Sequence, residues 1–292
     1  MLKKGDMVAG FRIDGVVAEG GMSVIYRATQ ESLKRTIALK VVPPELSGDP
    51  DFRERFRREG ALQATIDHPH IVSVHEAGES EHGLFLAMRL ITGPTLKDKI
   101  YEGKLDPRST VVVLSQVAEA LDAAHEVGLI HRDVKPQNVL IGEGDHAYLA
   151  DFGLGKAVDE APLTATGQFM GTIDYVSPEQ ARSEGVTARS DVYQLAAVLY
   201  ECLCGVVPFD RPNDAAVLFA HITEPPPRLA ESCPNLPPRL GDAISSGMAK
   251  NPADRPATPG ELMEQAREAL GIAWGRRRVA PGSPTKASDL DN

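Results

Sequence analysis

The sequence predicts an α+β chain, with strands gathered in the first third and helices in the remainder. Two observations carry this. Up to about Met88, short apolar runs alternate with glycine and polar turns, the mark of strands, and only one helical stretch interrupts them. Beyond Ser109 the apolar residues recur at helical spacing in longer stretches. A length of 292 residues leaves room for two modest lobes or one large domain.

Composition narrows the function classes. With 42% hydrophobic and 25% charged residues the chain reads as a soluble globular protein. A net charge of -10 argues against a general nucleic-acid binder, which needs an excess of Lys and Arg. No apolar run approaches the roughly 18 to 20 residues of a membrane span. The opening Met-Leu-Lys-Lys-Gly-Asp lacks the apolar stretch of a signal peptide. Cys202, Cys204 and Cys233 are odd in number and have no metal-ligand partners at useful spacing, so they read as reduced thiols.

Phe11 to Ala28 reads as two strands around Ala18-Glu19-Gly20-Gly21-Met22-Ser23. Glycines there let backbone N–H groups approach a phosphate, although a plain hairpin turn explains them equally well. Ile37 to Val42 is a strand whose single charge, Lys40, must either snorkel to water or find an anion. Asp51 to Ile66 is a helix with Phe52, Phe56, Leu62 and Ile66 on one face. Glu59 lies within that face and needs a cation. His68-Pro69-His70 stops the helix before a strand at Ile71–Val74. The two histidines lack a third ligand for a metal. Leu84–Met88 is the next strand. Ser109–Gly128 is a helix with Val113, Val117, Ala120, Leu121 and Ala124 as its stripe.

The chemistry concentrates in Ile130-His-Arg-Asp-Val-Lys-Pro-Gln-Asn138 and Asp151-Phe152-Gly153. Asp133 is a carboxylate able to take a proton from a hydroxyl. Lys135 offers a cation to a phosphate. Asn138 and Asp151 offer oxygens to a hard metal ion. Between them, Val139–Ile141 and Tyr148–Ala150 form a hairpin that delivers Asp151. Arg189–Gly205 is a helix apolar nearly all round and belongs in a core. Helices near Leu240–Ala249 and Gly260–Leu270 follow, and after Leu270 the composition turns basic, then polar.

By these motifs the chain resembles the bacterial, eukaryotic-like Ser/Thr protein kinases from about Gly10 to Leu270. The resemblance implies a bilobal protein-kinase fold with an antiparallel β N-lobe carrying one helix and a mainly α C-lobe. Residues 1–10 would be an N-terminal extension, 11–91 the N-lobe, 92–270 the C-lobe and 271–292 a disordered tail or juxtamembrane-like linker. It implies transfer of the ATP γ-phosphate to protein Ser or Thr, with Asp133 as base, Lys135 stabilising the moving phosphoryl group, and Lys40 paired with Glu59. Val17, Gly20, Gly21, Ile25, Ala38, Lys40, Met88 and Leu90 would line the nucleotide site. Asn138 and Asp151 would hold Mg²⁺, with Mn²⁺ as an option. Thr164 and Thr166 would be autophosphorylated and pair with Arg132. Glu179 would pair with Arg255, and Asp191 would brace the catalytic loop. Protein substrates, a possible N-lobe homodimer, and a cytoplasmic location, or the cytoplasmic part of a longer membrane receptor kinase, complete the expectation. The phosphate loop departs from the family pattern at Ala18 and Ser23. That departure keeps a nucleotide-binding pseudokinase scaffold in view. A small-molecule kinase shares the fold but usually lacks the Glu179–Arg255 arrangement and a threonine-bearing loop.

Overall fold

The computed structural model describes residues 1–21, 23–45, 48–103, 105–152 and 172–273. The expected threonine-bearing loop positions Thr164 and Thr166, and the tail beyond 273, lie outside the described residues. One antiparallel sheet of six strands runs in the order β1-β2-β3-β4-β6-β5. Its strands are Met7–Val8, Phe11–Glu19, Val24–Gln30, Arg35–Val42, Val74–Ser80 (β5) and Gly83–Met88 (β6). Helix α1, Pro50–Thr65, packs against β5. The remainder is helical apart from a small hairpin, β7 (Val139–Ile141) with β8 (Ala147–Leu149).

Helix α1 starts where Asp49 caps the backbone N–H of Asp51 and Pro50 opens the first turn. Phe52 and Phe56, both 1% exposed, anchor it, each worth roughly 1.5–3 kcal/mol of burial. Glu59 is buried as expected, but the face differs from the sequence reading: Gln63 is buried, whereas Leu62 and Ile66 are only half-buried. The Ile71–Val74 strand is also displaced, since β5 begins at Val74. Ile71 and Val72 pair with the second sheet instead. Ile71 bridges Leu149, and the Val72 N–H donates to Leu149 O at 3.0 Å. They tie the two parts of the molecule together.

The helical part is built on α5, Ala188–Cys204. It is the expected all-apolar helix, with Val192, Leu195, Ala196, Ala197, Val198 and Leu199 at 0% exposure. Around it stand α3 (Pro107–Glu126), α8 (Pro238–Gly247) and α9 (Pro259–Ala269). The α3 stripe, Val113, Val117, Ala120, Leu121 and Ala124, is wholly buried in the same core. Helices α2 (Leu96–Tyr101), α4 (Pro178–Ala181), α6 (Asp214–Thr223) and α7 (Leu229–Ser232) escape the sequence reading. Three of them are too short to display a period. In α6, Phe219 is 62% exposed while Val217 and Ala220 are buried, so no clean stripe exists.

Asp122 of α3 meets the start of α9, where its Oδ1 accepts from the Gly260 N–H at 3.3 Å. A Cβ at Gly260 would lie 2.4 Å from Asp122 Oδ2 and would force that carboxylate to shift. Burial pushes the Asp122 carboxyl up to about 6, against the pull of that bond. A raised carboxyl favours folding below its ordinary range and loses that contribution as pH climbs through about 6. Asp122→Asn, neutral throughout, is therefore expected to gain most over the native chain near about pH 8 and to lose the advantage towards about pH 4. Urea midpoints across pH check this, and a pH-independent difference would contradict it.

Candidate active site

The loop between α3 and β7 is held from below by Asp191, at 0% exposure in the first turn of α5. Its Oδ2 accepts from the His131 backbone N–H at 2.9 Å, and its Oδ1 from that of Arg132 at 2.8 Å. His125, at the end of α3, approaches Oδ2 through Nε2 at 2.7 Å. Arg132 sits at φ 64°, a conformation that costs a non-glycine residue about 1 kcal/mol or more. Its carbonyl is pinned too, accepting from Gln180 Nε2 at 2.8 Å and Gln194 Nε2 at 3.2 Å. Gln194 Oε1 takes the Val134 N–H at 2.9 Å. The strained turn is thus fixed on both sides.

His131 is fully buried, and burial holds its ring neutral, against the pull of Asp191. Its Nε2 lies 2.9 Å from Ala150 O, so Nε2 carries the proton. Nδ1 then accepts from the Asp133 N–H at 3.2 Å. The ring also packs on Phe152, centroids 4.7 Å apart. One histidine in this way links Asp133 to the segment that carries Asp151.

Asp133, Lys135 and Asn138 come together as the sequence reading requires. Lys135 Nζ is 2.9 Å from Asp133 Oδ2. The Asn138 amide donates to Asp133 O at 2.8 Å and to Oδ2 at 3.2 Å. With Nδ2 turned to Asp133, the side-chain oxygen of Asn138 has no hydrogen-bond partner among the described residues. The Ala150 N–H donates to Asn138 O at 2.9 Å, placing Asp151 beside it. Asp151 gives one oxygen to Lys40 and keeps the other. An amide oxygen and a carboxylate on adjoining segments are ligands of the kind that Mg²⁺ or Mn²⁺ takes.

The expected Lys40–Glu59 pair is not formed. Lys40, 8% exposed in β4, reaches Asp151 Oδ1 at 3.0 Å. Glu59 faces Arg132, with Nη1 at 3.4 Å from Oε1. Each buried charge has the opposite charge it needs, but the partners are exchanged. The cause is local: Glu59 lies in a field of Arg132, Arg58 and Arg55, and burial still pushes its carboxyl up. Arg132 Nε is buried without a hydrogen-bond partner among the described residues.

Beside these charges lies an apolar cluster of Ala38, Val72, Met88 and Ala150, with Ile25, Leu90, Ile91, Leu140 and Tyr148 packed on it. Ile25, Ala38, Met88 and Leu90 are among the expected nucleotide-lining residues. Val17 is apart from them, 52% exposed at a bulge between Val16 and Ala18. Gly20 turns the loop tip, its N–H donating to Ser23 O at 2.9 Å, with Gly21 next to it. Leu140 and Ala150 were missed. The signal for Leu140 was period two: Val139 and Ile141 are buried below, so Leu140 points the other way. Gly93 sets its height, because a Cβ there would strike Ile141 O at 1.8 Å.

The remaining pair is as expected. Arg255 grips Glu179 with two bonds of 2.8 Å. Burial opposes the charge, yet the bonds from Arg255 and Ser190 hold the Glu179 carboxyl below its ordinary value. Nearby, Glu201 of α5 pairs with Lys97, an interaction that spacing gave no reason to suspect.

The chain is similar to known proteins in sequence and in fold. Residues 11–270 match the family described as protein kinase domain. The chain is 39% identical over 267 residues to the serine/threonine-protein kinase PknH of Mycobacterium tuberculosis, covering 91% of this chain and 43% of that protein. It is 40% identical over 272 residues to PknE of Mycobacterium bovis, covering 93% of this chain and 48% of that protein. It therefore spans less than half the length of these curated relatives. The PknI kinase domain of M. tuberculosis superposes with a TM-score of 0.77 at 31% identity, over 93% of this chain and all of that one. A polar loop between a sheet-bearing lobe and a helical lobe is the arrangement of the protein-kinase fold. The chain belongs to the protein kinase domain family. No helix among the described residues is long and apolar enough to cross a membrane.

Asp191 generates a direct test. Asp191→Ala removes two backbone acceptor contacts and the His125 partner, with an expected loss of about 3–5 kcal/mol. Chemical denaturation measures it. A loss below about 1 kcal/mol would mean that the loop is held without this carboxylate.

Proposed function

We propose that the chain is a Ser/Thr protein kinase that transfers the γ-phosphate of ATP to protein hydroxyls, including its own Thr164 and Thr166. The observation that carries this reading is the contact set around Asp133: Lys135 at 2.9 Å and Asn138 at 3.2 Å on the same carboxylate oxygen. In the reaction a substrate hydroxyl attacks the γ-phosphorus, the bond to the β-phosphate oxygen breaks, and Asp133 takes the hydroxyl proton. Lys135 neutralises charge on the moving phosphoryl group and holds Asp133 in place. Lys40 serves the α- and β-phosphates, drawing on the position it already occupies beside Asp151. Ile25, Ala38, Met88, Leu90 and Leu140 provide an apolar slot for the base. Asn138 and Asp151 would hold Mg²⁺, or Mn²⁺, which neutralises phosphate charge when bound. Transfer of this kind needs positioning and charge compensation more than covalent help.

Arg132 supports a switch in the loop that carries Thr164 and Thr166. Its buried Nε–H lacks a partner among the described residues, and phosphothreonine offers strong acceptors. A phosphate there competes with Glu59 for the same guanidinium and frees Glu59 to meet Lys40. The chemistry implies protein substrates. A cytoplasmic position and a homodimer through the sheet-bearing lobe, aiding trans-phosphorylation, accord with this reading.

Incubation with Mg-ATP followed by intact mass and peptide mapping tests it. Phosphate is expected on Thr164 or Thr166 of the native chain. Asp133→Ala is expected to lose about 10²–10⁴-fold in rate while still binding nucleotide, since Asp133 stands outside the apolar slot. Lys40→Met is expected to slow turnover at saturating ATP. Nucleotide binding without any phosphate transfer by the native chain would favour the pseudokinase scaffold.

A further inference from the structure

The carboxyl end of α5 brings together two sulfurs that the catalytic centre does not use. Cys204 is the last residue of α5, and Cys233 caps the end of α7. Their Sγ atoms stand 3.0 Å apart as free thiols. This is closer than two unbonded sulfurs ordinarily approach. The Cys233 thiol also points at Leu203 O, 3.3 Å away. The same two segments are held in register by Tyr200 Oη and Ser232 Oγ, 2.8 Å apart. Both cysteines are half-buried, and Cys233 lies among exposed neighbours on either side. Cys202, in contrast, is enclosed in the core. The geometry therefore distinguishes one pair from the third thiol, which the sequence alone did not.

We propose that Cys204 and Cys233 are a redox pair that closes to an intramolecular disulfide under peroxide, tying the end of the central helix to α7. The step is a two-electron oxidation. The Cys233 sulfur attacks a peroxide oxygen, the O–O bond breaks, water leaves, and Cys233 becomes the sulfenic acid. The Cys204 sulfur then displaces that hydroxyl, the S–S bond forms, and a second water departs with the Cys204 proton. Two thiols are oxidised and one hydrogen peroxide is reduced to two waters. Burial and the neighbouring thiol push Cys204 up to about 12, so it carries little thiolate at neutral pH and leaves the first attack to Cys233. The bond encloses residues 205–232, the segment that carries α6, and restricts that segment in the unfolded chain. This inference is independent of the kinase reading, because no residue of the phosphoryl-transfer site takes part.

The experiment uses the full chain, reduced and then exposed to hydrogen peroxide. Thiols are counted by alkylation after denaturation, with intact mass and non-reducing peptide mapping. The reduced chain presents three thiols. After oxidation one is expected to remain, Cys202, with a peptide linking Cys204 to Cys233 and a mass lower by two hydrogens. Thermal unfolding is expected to rise and to return with reductant. Cys202→Ser is expected to behave as the native chain. Cys204→Ser and Cys233→Ser are expected to show neither the linked peptide nor the reversible thermal shift. Three alkylatable thiols after peroxide, a link through Cys202, or oxygen addition at Cys233 without a link would each overturn the proposal.

Discussion

The Asp191 carboxylate lies wholly inside the protein and is approached from three directions, by two consecutive backbone N–H groups and by His125. The loop from His131 to Val134 depends on it. Arg132 occupies a left-handed conformation that its own side chain does not favour, and Asp133 inherits its direction from that turn. With Gln180 and Gln194 holding its other side, this acceptor keeps the loop in that shape. The acceptor is fixed because α5 is buried on nearly every side and has no freedom to shift.

The same helix explains how a polar site is supported by an apolar core. Its buried polar residues reach out to several segments. Ser190 bonds Glu179, Asp191 and Gln194 bond the catalytic loop, and Glu201 meets Lys97 and Tyr175. None is left unsatisfied, so their burial costs little and their positions are well determined. The α5 scaffold thus determines where four loops and helices stand, while the sheet-bearing part contributes Lys40, Glu59 and the apolar slot.

Much of this was legible in the sequence, for identifiable reasons. Asp133, Lys135, Asn138 and Asp151 occur in two short runs whose spacing carries the chemistry, and the structure gathers the first three around one carboxylate. The α3 and α5 stripes were legible because burial on one or all sides leaves a periodic record. Pairing across long separations was less so. Lys40 and Glu59 each declared a need for an opposite charge, but sequence could not choose between two carboxylates and several guanidiniums within reach. His125, Gln180 and Gln194 leave no mark by spacing, although a polar residue one turn beyond Asp191 in an all-apolar helix was a signal that went unused. Ile71 and Val72 read as part of the first sheet because their apolar pattern does not reveal which sheet they join.

The stretch from His131 to Val134 is neither helix nor strand, yet the amides of His131, Arg132 and Val134 are held by residues of the central helix and that of Asp133 by His131. Opening the three held by α5 breaks bonds to a buried helix. In hydrogen exchange the amides of His131, Arg132 and Val134 should accordingly open only with the core helices, at close to the free energy of global unfolding. The loop that carries the proposed base would then be among the slowest parts of the chain to exchange, and any motion at the site would have to come from elements around it.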